Sequence, residues 1–330
     1  MLTFNIFFME TAKPVKYPIP SKLNTVLSIA IIVAALGLLI AGSKMERGWT
    51  FALIAFLFGM VMVPAYSMVH EAEHHILHQN KKLNYTMGYL LSLLFMAPFT
   101  FFQQCHIGHH KRNRTDFEMF DLHYEHQSRG WRSFYLHIGR LGFQWILLPF
   151  STFLFLFFPR VLTGSFFRMD LMTEGMLSGL YKETIPQIRL ESLGVALFHI
   201  LLFWGLDFAW QNYLIMYLVH GFIWSSQNYV NHAYSERDII NGAHNHKLPK
   251  WLQAFYLNFN LHLAHHQHPK VPWLYLEELV DHNDPKRISF FTNYLRLWGG
   301  TVLTREPSPV PLDELRNRST YQKVVNEGEK

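Results

Sequence analysis

Asn258-Phe259-Asn260-Leu261-His262-Leu263-Ala264-His265-His266-Gln267-His268-Pro269-Lys270-Val271-Pro272-Trp273 is the stretch on which the reading of this chain turns. At its centre, His262, His265 and His266 stand at i, i+3 and i+4, positions that share one face of an α-helix. The same spacing recurs far away at His106-Ile107-Gly108-His109-His110. A third cluster, His70-Glu71-Ala72-Glu73-His74-His75, places His70 and His74 one turn apart, and Asn228-Tyr229-Val230-Asn231-His232 sets an amide and an imidazole at i, i+4. Neutral imidazole is the commonest protein ligand of transition metals, and one ion takes roughly four to six ligands. Nine such imidazoles therefore point to two metal ions, with iron the expected metal. His78 continues the His70–His74 face and His75 lies one residue off it, so both stand as further candidate ligands.

Composition narrows the setting. Of the 330 residues, 50% are hydrophobic and 16% charged, where an ordinary soluble domain carries about 25% charge. Much of the surface is thus expected to face lipid. A single cysteine, Cys105, allows no internal disulfide and no Cys-rich cluster. The net charge of +5 fits basic cytoplasmic loops better than nucleic-acid binding, since no stretch reads as a compact recognition helix. Met1 to Ser21 does not read as a cleavable signal.

Leu23–Ala41 and Trp49–Val69 are apolar runs long enough to cross a hydrocarbon core of ~30 Å. Lys13, Lys16 and Lys22 before the first put the N-terminus in the cytoplasm. Met87–Phe102 is apolar but short and holds Pro98. It also has to leave the His70 and His106 clusters on the same side, so it is read as interfacial or dipping in and back. Leu141–Phe158, with Gln144 and Pro149, is read the same way. Leu193–Leu206 and Tyr213–Trp224 form a second hairpin, with the Lys- and Arg-free link Asp207–Asn212 facing outward. The expectation is one all-α integral membrane domain over residues 1–330: four transmembrane helices in two hairpins, and a cytoplasmic helical cap carrying the histidine boxes. Glu306–Lys330, rich in charge and Pro, is expected to be a poorly ordered end. His123, His126, His137, His199 and His220 are read as structural or interfacial, although His199 and His220 sit in apolar runs and also suit a cavity wall.

Two other classes compete. His70-Glu71-Ala72-Glu73-His74 matches the His-Glu-x-x-His signature of zinc proteases, with the Glu as general base. A protease leaves the other two boxes without a task. A metal transporter needs acidic or polar residues stepping through its spans, and these are lacking.

The boxes together resemble those of the membrane fatty acid desaturase superfamily and its relatives, the alkane hydroxylases and carotenoid ketolases. The likeness rests on His70-Glu71-Ala72 with Lys82-Leu83-Asn84 and Gly88; on His106 to His110 with Asn113 and Asp116; and on Asn260, His262, His265-His266, Pro269 and Val271-Pro272-Trp273. Asn228 and His232 resemble an Asn-x-x-x-His element in which the His binds iron and the Asn holds an iron-bound water. The resemblance implies a non-haem di-iron centre at the cytoplasmic face, ligated by His70, His74, His106, His109, His110, His232, His262, His265 and His266, with Asn228 acting through water. It implies O2 as co-substrate, two electrons per turnover and a lipid acyl substrate, most simply with desaturation as the outcome; hydroxylation or ketolation is the alternative. No flavin, haem or dinucleotide motif appears, so the resemblance implies an external donor such as a ferredoxin or a cytochrome-b5-type protein. Lys111–Arg114 and Arg129–Arg132 are candidate steering charges for an acidic donor.

Overall fold

The computed structural model describes residues 16–160 and 170–318. The reading of the N-terminal segment up to residue 15 and part of the polar end lie outside these residues. The apolar runs form helices where the sequence places them: α1 (Ser21–Gly42) and α2 (Trp49–Glu73), then α3 (Lys81–Leu93) and α4 (Phe99–Arg112). Next come α5 (Arg129–Ile138), a π-helical turn at Gly139–Phe143 and α6 (Gln144–Phe157). After α7 (Leu171–Leu177), the long helices α8 (Ile185–Gly205) and α9 (Trp210–Gln227) lead to α10 (Lys250–Phe255), α11 (His262–Gln267), α12 (Phe290–Leu297) and α13 (Leu312–Arg318). Two-residue strands, β1 (Leu122–His123) and β2 (Val302–Leu303), pair in parallel.

Among the described residues, four helical stretches are long and apolar enough to cross a membrane: Ser21–Gly42, Trp49–Glu73, Arg129–Phe157 and Lys182–Gly205. By length and composition these differ from the expected spans. Tyr213–Trp224 falls in α9, which is 18 residues long and diluted by Gln211, Asn212, His220 and Gln227, and it is not among the four. Arg129–Phe157, whose second half was expected to be interfacial, is among them. That stretch is not one straight rod, because Gly142 adopts φ 119° inside it, a conformation that suits glycine.

Met87–Phe102 is broken, as its length and Pro98 suggest. Helix α3 ends at Leu93, Met96 takes a left-handed conformation (φ 59°), and Pro98 precedes α4. The end of α2 is equally defined. His75 N bonds Ala72 O (3.0 Å), Ile76 N bonds Glu71 O (2.9 Å), and His75 has φ 61°. This is a Schellman stop with a histidine where glycine is usual. It ends the helix directly after His74 and turns the His75 ring out to solvent.

The core is built around α2. Phe58, Met62, Ala65 and Met68 are fully buried with Leu39 of α1, Leu91 of α3, Phe99 of α4 and Met216 of α9. Two glycines permit close approaches to and from α2. A Cβ at Gly59 would meet Ile223 at 2.6 Å, and one at Gly88 would meet Phe99 at 2.6 Å and Ala72 at 2.8 Å. Outward residues such as Val26, Ile29 and Val33 on α1 and Leu197, Leu201 and Trp204 on α8 are exposed and apolar, as a lipid-facing surface requires.

Part of the polar end packs on the body of the protein. Helix α13 buries Leu315 with Val310 and Phe117, and Arg316 binds both oxygens of Glu174 at 2.9 and 2.8 Å. Residues 319–330 lie outside the described part.

Candidate metal centre

Four segments deliver the histidines to one place. The last turn of α2 brings His70 and His74, α4 brings His106, His109 and His110, the turn after α9 brings His232, and α11 brings His262, His265 and His266. Among the described residues these nine form two sets, each with one nitrogen per ring and all nitrogens of a set within 4.8 Å of one another. The first is His70, His74, His106, His110 and His265; the second is His109, His232, His262 and His266. In the first, His74 Nε2 is 2.7 Å from His106 Nε2, His110 Nε2 is 3.1 Å from His106 Nε2, and His265 Nε2 is 3.0 Å from His110 Nε2. In the second, His109 Nε2 and His232 Nε2 are 3.2 Å apart. The sets adjoin: the rings of His110 and His266 stack with centroids 4.2 Å apart.

The three histidines of a box do not all serve one set. In α4 the i, i+4 pair His106/His110 faces one set and His109 the other; in α11 the pair His262/His266 faces one set and His265 the other. A 100° step per residue separates i+3 from the i, i+4 edge enough for this division. His75 and His78 belong to neither set.

The donor atoms suit a divalent transition metal. His70 Nε2 and both ring nitrogens of His266 are buried and have no hydrogen-bond partner, a costly arrangement for atoms with no other task. Burial first, then neighbouring imidazoles, hold His106, His232, His262, His265 and His266 well below the usual histidine range, and His110 is pushed down to about 2. These rings are therefore neutral at pH 7, the form that binds metal.

Partners behind the rings fix their orientation, as is usual for metal-binding histidines. His109 Nδ1 is 2.5 Å from Glu118 Oε2, and Arg112 Nε holds the other carboxylate oxygen at 2.8 Å. Burial alone would raise the Glu118 pKa, but His109 and Arg112 hold it below the usual carboxylate value. His232 Nδ1 donates to Gly242 O at 2.9 Å, and Asn113 Nδ2 binds the same carbonyl at 3.1 Å. Glu73 Oε2 lies 3.9 Å from His106 Nδ1. Buried Asn84 ties the loop after α2, accepting from Leu77 N and His78 N and donating to Ala72 O. Asn245 Oδ1 accepts from Ala264 N at 3.0 Å and so caps α11 from another loop. Glu118 and Asn245 carry no sequence signal beyond their polarity, because each acts across a fold that sequence spacing does not show; Asn84 belongs to a run that carries the resemblance, but that run does not show these bonds.

Asn228 sits at the end of α9 and lines a cavity with Tyr66, Trp224, Asn231, Phe259 and Asn260. The Phe259 ring separates this cavity from the centre, lying 5.0 Å from His70 and 4.9 Å from His262. Glu71, the general base of the protease alternative, is 2% exposed and accepts from Trp273 N at 3.1 Å. It is engaged in holding box three. His199 binds Tyr213 OH and Leu93 O within the helices, and His220 is fully buried beside Phe58 and Phe95.

The sequence model of the family described as "Fatty acid desaturase" matches residues 47–294, which contain all nine histidines. The chain belongs to the fatty acid desaturase family. It is 26% identical over 240 residues to a protein of Bacillus subtilis (strain 168) described as "Fatty acid desaturase", covering 66% of this chain and 63% of that one. The match thus spans a little under two thirds of the relative's length. For a member of this family, histidine clusters fit to hold metal and helices apolar enough for a membrane are the expected equipment.

Proposed function

We propose that this desaturase-family protein removes two neighbouring hydrogens from an unactivated stretch of a lipid acyl chain, using O2 and two electrons from an external ferredoxin or cytochrome-b5-type donor. The observation that carries the reading is the pair of adjoining imidazole sets, all nitrogens of each within 4.8 Å. The first set would hold one iron through His70, His74, His106, His110 and His265, and the second another through His109, His232, His262 and His266. Asn228 would hold a water on the side of the second. When bound, such a pair of irons supplies the oxidising power to break a C–H bond. The protein's own residues position and exclude: Tyr66, Trp224 and Phe259 offer a narrow apolar path for the chain, so that one carbon pair meets the centre and bulk water does not.

The arrangement in the membrane follows from the links. Ala209 N bonds Ser43 O, and Asn212 Nδ2 bonds Gly42 O and Met45 O. The α1–α2 and α8–α9 links therefore lie side by side, at the end opposite the histidines. This supports α1/α2 and α8/α9 as the two hairpins, with the histidines under a cap on the cytoplasmic side. Arg132 binds the Met119 carbonyl and Arg189 the Leu156 carbonyl. These bonds support both ends of Arg129–Phe157 lying toward the histidine side, and so a bent, re-entrant path for it. The basic residues Lys81, Lys82 and Lys111 near the boxes agree with that side being cytoplasmic.

The test is expression in a host of known lipid composition, with mass analysis of its acyl chains in air and without O2. An O2-dependent loss of two hydrogens supports desaturation. Gain of one oxygen would assign the chain to hydroxylation, and unchanged lipids with two irons bound would count against an acyl substrate.

A further inference from the structure

The positive loops singled out in the sequence are mostly engaged. Arg112 is buried on Glu118, Arg114 is buried on Asp121 at 2.6 Å and on Ser235 O, and Arg132 is turned to the Met119 carbonyl. A different cationic face lies over the first imidazole set. Lys270, exposed just past box three, donates from Nζ to the carbonyl oxygen of His74 at 2.8 Å. That oxygen belongs to a residue whose ring nitrogen is 2.7 Å from His106. The His75 ring stands exposed beside it, and Lys81 is exposed at the first turn of α3. The charges of Lys270 and Lys81 both act against protonation of His75, and that of Lys270 reaches His110. No Asp or Glu occurs from His74 to Thr115 or from His262 to Leu276. The segments that form this face therefore carry charge of one sign.

We propose that Lys270, Lys81 and His75 form the docking surface for an acidic electron-carrier protein, whose electrons would pass by way of His74 to the metal that the first imidazole set would hold. The inference rests on the oxidative function proposed above. Two reduced carriers each leave oxidised by one electron. Those two electrons, two protons from water and two hydrogens from the substrate reduce one O2 to two waters. An acidic partner gains faster, salt-sensitive association from such a face, and the covalent link from the Lys270 contact to the His74 ring is short. Lys270 also has an alternative ligand, the anionic headgroup of a lipid.

The test measures binding of an acidic ferredoxin and of an acidic cytochrome b5 domain to the metal-free protein in lipid nanodiscs, at low and high salt. Lys81→Glu places an acid in the first turn of α3, where the helix dipole favours it, so this variant keeps its fold. Lys270→Gln keeps an N–H for the His74 carbonyl. The expected result is binding of one carrier that Lys81→Glu weakens by about tenfold at low salt and that Lys270→Gln also weakens, with a smaller salt dependence in both. In the metal-loaded protein, KM for the carrier rises while kcat at saturating carrier holds. The proposal is overturned if neither carrier binds, if both variants bind like the parent, if only Lys111→Glu or Arg129→Glu weakens binding, or if the variants lose only phosphatidylglycerol vesicles. Carrier binding is read without any product. Lost lipid oxidation with this binding pattern intact would therefore sink the functional reading alone, and normal oxidation with unaffected binding would sink the docking surface alone.

Discussion

Glu191 caps α4 from a different helix: its Oε2 accepts from Thr100 N at 2.7 Å across 91 positions. Its other oxygen takes Thr100 Oγ1 at 2.5 Å and Tyr85 OH at 2.7 Å. The residue before α4 is Pro98, which has no side chain able to do this. Glu191→Ala would leave Thr100 N and Oγ1, both buried, and the partly exposed Tyr85 OH and Gln187 Nε2 without that partner, an expected loss of ~2 kcal/mol of stability. Thermal unfolding in detergent reads it, and Glu191→Gln, which keeps an acceptor, should lose less.

Glu118→Gln is expected to lower metal affinity or activity by about 10- to 100-fold, the usual cost of removing a carboxylate behind a ligating histidine. The substitution removes the negative charge that orients the Nδ1 side of His109 and that pairs with Arg112. Metal content after dialysis against a weak chelator measures it. Loss of about one ion per chain, with the other retained, is the pattern expected if His109 serves the second set alone.

His75→Ala and His78→Ala should keep full metal content and, at saturating electron donor, activity within about twofold, the range of ordinary surface substitutions. His266→Ala and His265→Ala should abolish activity while the protein still inserts. The contrast is sharp because His74 and His75 are adjacent, yet the Schellman stop sends their rings in opposite directions. Equal loss in His75→Ala would show that the end of α2 rearranges when metal binds.

The metal-free protein should lose stability as pH falls below about 6.5. His232, His262, His265 and His266 are held well below that value by burial, then by neighbouring imidazoles, whereas in the unfolded chain they titrate near 6.5. Between the two values the unfolded state binds protons that the folded state does not. Stability is therefore full above 6.5 and declines on acidification by about 1.4 kcal/mol per pH unit for each such ring, until the folded values are reached. Melting temperatures at pH 7.5, 6.5 and 5.5 test this; a flat profile would mean that these rings are not buried as neutral bases.

The sequence made the histidines legible because helical periodicity alone places i, i+3 and i+4 together, and nine of them met in two adjoining sets. It did not reveal how His109 and His265 part from their box neighbours, since that depends on how α4 and α11 face each other. Glu118 and Glu191 were invisible for the same reason: their partners are made by folding. Asn84 belongs to the Lys82-Leu83-Asn84 run on which the resemblance rests, but its bonds to the loop after α2 are made by folding. Asn228 lies on the wall of the cavity that Phe259 separates from the centre.

Helix assignment was firm where an apolar run was long and uniform, as in α1 and α2. It was weaker at α9, where Gln211, Asn212 and His220 dilute the apolar run; Asn212 bonds the α1–α2 link and His220 packs among aromatic rings. At the polar end, Val310, Leu315 and Arg316 find partners on distant segments that charge content does not show.

Asn24 sits one turn into α1, a helix mostly exposed along its apolar length. Its Oδ1 accepts from Trp273 Nε1 at 3.0 Å, while Trp273 N binds Glu71 between two of the inward-facing histidines' neighbours. A helix immersed in lipid adjusts its tilt to the thickness of the bilayer, and here that tilt is tied through one indole to the loop that closes the pocket. Under the function proposed above, bilayer thickness, a property that unsaturation changes, would have a mechanical hold on the site through this one bond.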